Sequence, residues 1–378
     1  MLTSIQCSKL LGTMSTSHFL TGRDQAHIIV SVRRDSESDL EGERITVMKL
    51  IKNMLAGDVL SLSRLITLVE RDGTEVPEVM KLVYSHVGKS YCIGITGPPG
   101  AGKSTVVDRL TALMRQQGFT VGIIAADPTS PFSGGAVLGD RIRMQQHYLD
   151  DGVFIRSMAT RGSQGGLPTS AGNVIKLMSA FGKDFIIVET VGVGQTELDI
   201  MQNVDTTVVV LVPEAGDSIQ TMKAGLFEIA DIFAVNKADR PGADILMVEL
   251  KMMLQLHSKQ NWWQPPVITA QALNNVGMEE FYEAILKHRK ALEETGRLSQ
   301  RRLEQRRREF METVESRVAA AILKLVHQDE ELHKHMDMVE AGKVDPYSAA
   351  DAILRPGTLM ASWSRQLTKK RPKKPAKG

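Results

Sequence analysis

Hydrophobic periodicity divides the chain into three stretches. From about residue 40 to 87, apolar residues recur at three- and four-residue spacing, as in ERITVMKLIKNMLAGDVLSLSRLITLVERDG, and predict amphipathic helices. Gly57-Asp58 interrupts this run with a helix stop followed by an N-capping carboxylate. EVPEVMKLVYSHV continues in the same helical style. From Ser90 to about Lys290 the pattern changes to short runs, YCIGIT, TVGIIAAD, VFIRS, DFIIVET, TTVVVLV, IFAVNKAD and PVITA. Most are apolar almost throughout, as expected of strands covered on both faces. Helical stretches separate them, and the alternation predicts an α/β fold, a doubly wound, mostly parallel sheet with right-handed crossovers. Beyond Ala291 the pattern is helical again. LSQRRLEQRRREFMETVESRVAAAILKLV reads as one long amphipathic helix with Val314, Val318, Ile322 and Leu325 on a single stripe. Its basic cluster RRLEQRRR reads as a solvated face, and HKH at 333–335 as an exposed pair, because i and i+2 do not share a helix face.

The expected organisation is an N-terminal extension over 1–39, a helical domain over 40–88, an α/β domain over 89–290, a C-terminal helical region over 291–365 and a basic tail over 366–378. Composition refines this picture only at the ends. The chain has 378 residues, 24% charged and 42% apolar, which is ordinary for a globular protein. Its formal charge of +2 is misleading, since TKKRPKKPAKG at the C-terminus carries six basic residues and no acid. The body is therefore net acidic, which argues against a nucleic-acid partner. No apolar run approaches the length of a membrane span, so no membrane partner is expected. The two cysteines, Cys7 and Cys92, imply no disulfide framework and suit a reducing compartment; Cys92 reads as a small core residue. The first 35 or so residues are rich in Ser and Thr and poor in acids. A cytoplasmic location is expected, with the mitochondrial matrix as the alternative if this stretch is a transit peptide.

The chemistry concentrates in GITGPPGAGKST, residues 94–105. Gly97, Pro98, Pro99, Gly100, Ala101, Gly102, Lys103 and Ser104, followed by Thr105, fit the phosphate-binding pattern G-x-x-x-x-G-K-[ST] between a strand and a helix. Glycines let backbone N–H groups turn inward around phosphates, and the next helix contributes its positive end. Lys103 is placed to bridge β- and γ-phosphates, and Ser104 to ligate Mg²⁺. The base is addressed by NKAD, Asn236 to Asp239, at the end of a predicted strand about 130 residues later. In an N-x-x-D arrangement of this kind the Asp239 carboxylate accepts from the N1–H and N2–H₂ of guanine, a pair that adenine does not offer. Asn236 braces the pocket and the Lys237 stem lies along the base. TAQA, which contains Thr269, Ala270 and Gln271, is placed to complete it through backbone N–H groups. Acids for the metal are Asp127 in AADPTS, Asp140 in LGDR and Glu189 in IVETVGVG. Glu189-Thr-Val-Gly192 stands where a γ-phosphate-sensing D-x-x-G would, with Gly192 as the sensor, and Gln195 is a candidate to orient the attacking water. The catalytic set is thus Lys103, Glu189, Gln195 and Asp127, with GTP or GDP and Mg²⁺ as the bound species.

With GPPGAGKST, DPTSPFSGGAVLGDR, TRGSQGG, IVETVGVGQTE, VPEAGDSIQTMKAG and NKAD in order over residues 87–290, the chain resembles the MeaB/ArgK group of P-loop GTPases, the family of the methylmalonic aciduria type A protein. The resemblance implies a GTPase that acts as a chaperone for an adenosylcobalamin-dependent acyl-CoA mutase, chiefly methylmalonyl-CoA mutase, gating cofactor loading and protecting the enzyme. It also implies a helical N-terminal part and a homodimer formed through the C-terminal helical arm. No arginine is clearly placed as a finger in cis, with Arg141 and Arg143 beside Asp140 as the candidates, so slow intrinsic hydrolysis accelerated by the mutase is expected. By motif, residues 127–143 and 189–198 correspond to the first and second switches, and 212–223 to an additional one. One departure is local: Pro168 and Thr169 stand where members often carry an arginine. Alternative functions are a P-loop kinase linked to amino-acid transport, for which NKAD would be superfluous, and a nickel-insertion GTPase, which would call for a Cys/His cluster.

Overall fold

A computed structural model describes residues 37–71, 73, 75–127, 144–147, 149–159, 170–190, 203–213, 229–257 and 262–369. The chain divides into two compact units, 1–46 and 47–378. Of the first, only the opening turns of one helix are described.

Seven runs with the predicted apolar character become seven strands: β1 (Tyr91–Thr96), β2 (Val121–Asp127), β3 (Val153–Ala159), β4 (Phe185–Glu189), β5 (Thr206–Leu211), β6 (Ile232–Val235) and β7 (Val267–Thr269). They form one sheet in the order β3-β2-β4-β1-β5-β6-β7, and every strand pair in it is parallel. Inner strands such as β1 and β4 are buried at every position because both faces are covered. Along β1, Tyr91, Ile93 and Ile95 face one core while Cys92 faces another. Along β4, Phe185 and Ile187 join the first core and Ile186 and Val188 the second.

The first core is closed by α4 (Lys103–Gln116), through Val106, Val107, Leu110 and Met114, and by α7 (Met278–Glu294), through Met278, Phe281 and Ile285. The second is closed by α1 (Glu37–Leu55), α2 (Val59–Glu70), α3 (Val76–Val83) and α5 (Ala171–Phe181). A third packs α6 (Ala243–His257) on β5 and β6 through Leu246, Leu250 and Leu254. From Val47 onward the N-terminal helical part shares a core with the sheet. The break predicted at Gly57-Asp58 is present, and Asp58 caps α2 by accepting from the Ser61 amide at 3.0 Å.

After α7, the chain runs into α8 (Arg297–Gln328), then α9 (Glu330–Glu340), α10 (Pro346–Leu354) and α11 (Pro356–Lys369). In the basic cluster at the start of α8, Arg306 and Arg307 are exposed as expected, but Arg301 and Arg302 depart from a solvated face. Arg301 makes a two-pronged pair with Asp231 at 3.0 and 3.1 Å, and Arg302 one with Asp205 at 3.0 and 2.8 Å. Arg302 also donates to the carbonyls of Gly88 and Ser90. Asp205 and Asp231 immediately precede β5 and β6, so α8 is bolted to the edge of the sheet opposite the strands' C-terminal ends. Among the described residues no helix is long and apolar enough to cross a membrane.

Candidate nucleotide-binding site

The sheet order reverses around β1, which lies between β4 and β5. In open parallel sheets the crevice beyond the strands' carboxyl ends at such a reversal is where ligands bind. Those predicted site residues that are described lie at these ends. Gly97 follows β1, Glu189 ends β4 opposite Ile95, and Asn236 follows β6. Asp127 ends β2, two positions beyond Ala125, which is level with Glu189. Asp140, Gly192 and Gln195 lie outside the described residues, as do Arg141 and Arg143.

The loop from Gly97 to Gly102 is shaped by close approach. Gly97 has φ +141°, and a Cβ there would sit 2.0 Å from the Val210 carbonyl oxygen. Gly102 has φ +84°, and its Cβ would sit 2.4 Å from Asn236 Nδ2. Only glycine combines the left-handed backbone with that proximity. Pro98 and Pro99 hold the outer bend, and Ala101 is buried in the core under the loop. Gly102 passes into α4, whose first residues are Lys103, Ser104 and Thr105. Lys103 is only 7% exposed, and its Nζ donates to the carbonyls of Gly97 at 2.9 Å and Pro98 at 3.2 Å. The ammonium is thus folded into the loop's interior, at the N-terminal end of a helix whose dipole favours anions.

Beside it, Ser104 Oγ donates to Glu189 Oε1 at 2.7 Å, with both residues buried. Thr190 continues from Glu189 and donates its hydroxyl to Thr96 Oγ1 at 2.9 Å, which ties β4 to β1 just below the loop. A hydroxyl and a carboxylate oxygen brought together at a phosphate loop are hard donors of the kind Mg²⁺ takes. Among the described residues no group of three His, Cys, Asp or Glu side chains gathers to hold a metal.

The base-side motifs join the loop through one side chain. Asn236 is 3% exposed. Its Nδ2 donates to Ala101 O at 2.8 Å, and its Oδ1 accepts from the Ala272 amide at 3.0 Å. Lys237 takes φ +55° and donates its Nζ to Gly100 O at 2.8 Å. Asp239 lies exposed two residues on. The TAQA stretch runs out of β7 alongside: Ala238 N donates to Ala270 O at 3.0 Å. The Ala270 amide donates to Val235 O, and Gln271 exchanges both backbone hydrogen bonds with Val276, so these amides have partners within the fold. Thr269 is held at the other end of this turn, where Gly277, at φ +72°, passes so close that a Cβ would lie 2.3 Å from the Thr269 carbonyl oxygen.

One residue of this neighbourhood carried no recognisable motif. Arg109 of α4 donates Nε to Ala272 O at 3.1 Å and Nη2 to Leu273 O at 3.3 Å. In the sequence it is one more polar position on an amphipathic helix.

Comparison with known proteins gives a consistent outcome. Residues 62–326 match the family described as Methylmalonyl Co-A mutase-associated GTPase MeaB. A Pyrococcus horikoshii protein described as a GTPase is 50% identical over 311 residues, covering 81% of this chain and 96% of its own. The GTPase ArgK of Escherichia coli is 35% identical over 268 residues, 69% of this chain and 81% of that protein. A crystal structure of an LAO/AO transport system kinase superposes with a TM-score of 0.61 at 26% identity, covering 82% of this chain and 96% of that one.

Proposed function

The chain belongs to the MeaB family of P-loop GTPases, and on that premise we propose that it is a guanine-nucleotide switch serving an adenosylcobalamin-dependent acyl-CoA mutase. The observation that carries the nucleotide reading is the Asn236 joint. One buried side chain bonds both the phosphate loop, at Ala101 O, and the turn after β7, at Ala272 N. Loop, NKAD and TAQA are thereby joined through one side chain.

In this reading Gly97–Thr105 cradles the phosphates, with Lys103 exchanging the Gly97 and Pro98 carbonyls for β- and γ-phosphate oxygens. Asp239 reads guanine, Lys237 covers the base, and the turn from Thr269 to Ala272 closes the pocket. Ser104 and Glu189, with Asp127 and Asp140, would hold Mg²⁺, which neutralises phosphate charge when bound. Gly192 and Gln195 belong to the same reading as γ-phosphate sensor and water-orienting group.

Asp239→Asn tests the base assignment. Loss of the acceptor for N2–H₂ should weaken GTP on the order of a hundredfold while xanthosine triphosphate is held as well as before or better, because a site built to bond a polar group rejects its mismatch strongly. Unchanged GTP affinity in a titration would remove guanine from the reading. The client assignment rests on the family and on a relative's name: the mouse Methylmalonic aciduria type A homolog, mitochondrial, is 29% identical over 343 residues. Its test is co-purification with methylmalonyl-CoA mutase combined with a GTPase assay. Turnover should rise when mutase is added; a rate equal with and without it removes the client.

A homodimer through the C-terminal region is part of the same proposal. α8 leaves Leu303, Phe310, Met311, Val318 and Leu323 exposed, Phe310 at 64%, which is a large apolar display for one helix.

A further inference from the structure

Arg109 stands six positions beyond Lys103 on the phosphate-loop helix, and its half-buried side chain leaves α4 toward the turn Ala272–Asn274 that follows β7. The turn is short of apolar anchors. Ala272 is buried at 1%, but Leu273 is 77% exposed and Val276 lies 52% exposed. Its position therefore depends on polar contacts. Asn236 Oδ1 takes the Ala272 amide from one side, and the Arg109 fork takes the carbonyls of Ala272 and Leu273 from the other. The Ala272 residue is gripped at both its N–H and its C=O.

We infer that Arg109 is a positioning residue for base recognition: it fixes the turn after β7 against the phosphate-loop helix and so sets how tightly and how selectively guanine is held, without touching the nucleotide. The inference rests on the guanine reading above. Two features make arginine suited to the task. The guanidinium presents several donors in one rigid plane, so two successive carbonyls are bonded at little cost in side-chain freedom. It also stays charged at any working pH, which strengthens both hydrogen bonds. A lysine would offer a single mobile point charge.

The test uses the full chain with Arg109→Gln and Arg109→Lys, titrated with GDP, inosine diphosphate and ADP, and assayed for GTP hydrolysis. Arg109→Gln should raise the GDP Kd and the GTP KM about tenfold, the equivalent of losing hydrogen bonds to a charged group. kcat should stay within about twofold, because Lys103 and its surroundings are untouched, and the preference for GDP over inosine diphosphate should shrink. Amides of residues 270–277 should exchange hydrogen faster than in the parent protein while those of α4 do not. Arg109→Lys should fall with Arg109→Gln; it also carries the test if the glutamine variant does not fold. Unchanged KM and base preference, or kcat and KM changing together with faster exchange throughout, would overturn the inference. So would full rescue by lysine. A parent protein with no preference for GDP over ADP would instead remove the guanine reading itself.

Discussion

At the residue scale, the site depends on two side chains that do opposite things. In the proposed site Lys103 carries the charge for the phosphates; its ammonium is held inside the loop by the Gly97 and Pro98 carbonyls. Asn236 carries no charge but holds the parts in place. Lys103→Ala should lower GTP turnover by about a hundredfold or more, the scale of loss when a group stabilising developing phosphate charge is removed. The fold should survive, since the lysine's described bonds are to loop carbonyls that can be taken over by water. Far-UV circular dichroism beside a phosphate-release assay checks both halves. Collapse of the dichroism signal would make Lys103 a structural residue. The lysine was legible from nine contiguous letters. The reach of Asn236 to Ala101 and Ala272, 135 and 36 residues away, was not.

At the element scale, the junction of α7 and α8 with the sheet is a buried polar network. Arg302 faces Asp205, whose side chain is 3% exposed and also accepts the Cys92 amide at 2.9 Å. Removing one member of a buried pair strands the other's charge. Arg302→Ala should therefore cost about 2–3 kcal/mol, discounted because the arginine itself is partly exposed. Urea unfolding of parent and variant measures it, and a change below about 0.5 kcal/mol would show that α8 is held by other means.

In the same network His288 is fully buried, with Nδ1 bonded to Thr206 Oγ1 at 2.9 Å and Nε2 3.4 Å from Asp231. Burial holds its pKa down to about 4, against the pull of the Asp231 carboxylate. The unfolded chain protonates this histidine near pH 6.5, the folded one only near 4, so its contribution is complete above pH 6.5 and is lost as pH falls toward 4. The loss is on the order of 3 kcal/mol over that window. A pH series of denaturation midpoints should show this slope in the parent and a flatter one in His288→Gln; parallel slopes would sink the assignment. The basic run on α8 was visible in the sequence as charge. Its pairing was not, because Asp231 and Asp205 lie 70 and 97 residues upstream of their arginines.

At the scale of the whole molecule, a seven-stranded parallel sheet is covered on both faces, while the C-terminal helices carry only a small core of their own, Leu325, Val326 and Leu332. The stripe expected over Val314, Val318, Ile322 and Leu325 divides accordingly. Leu325 is buried in that core with Ile322 packed on it, whereas Val314 and Val318 remain 38% and 47% exposed. An apolar half-stripe open to water suits a second copy of the chain. Phe310→Glu combined with Val318→Glu should convert a dimer to a monomer in analytical ultracentrifugation with little change in GTP turnover per chain. A parent protein that sediments as a monomer at micromolar concentration would remove the dimer.

The sequence by itself determined whatever is written in contiguous letters. Seven largely apolar runs set the strands, because the inner strands of a parallel sheet are covered on both faces and favour apolar side chains along most of their length. The glycine-rich loop and NKAD set the nucleotide motifs, because their chemistry is local to the backbone that carries it. Tertiary structure decided which partners those letters meet. It put Glu189 against Ser104, Asn236 between two motifs, Arg109 under the turn after β7, and Arg301 and Arg302 on buried carboxylates. It also merged the N-terminal helices from Val47 onward with the core of the sheet. Each of these is a contact between groups far apart in the chain, and such contacts are fixed by packing and strand order, which no local pattern encodes.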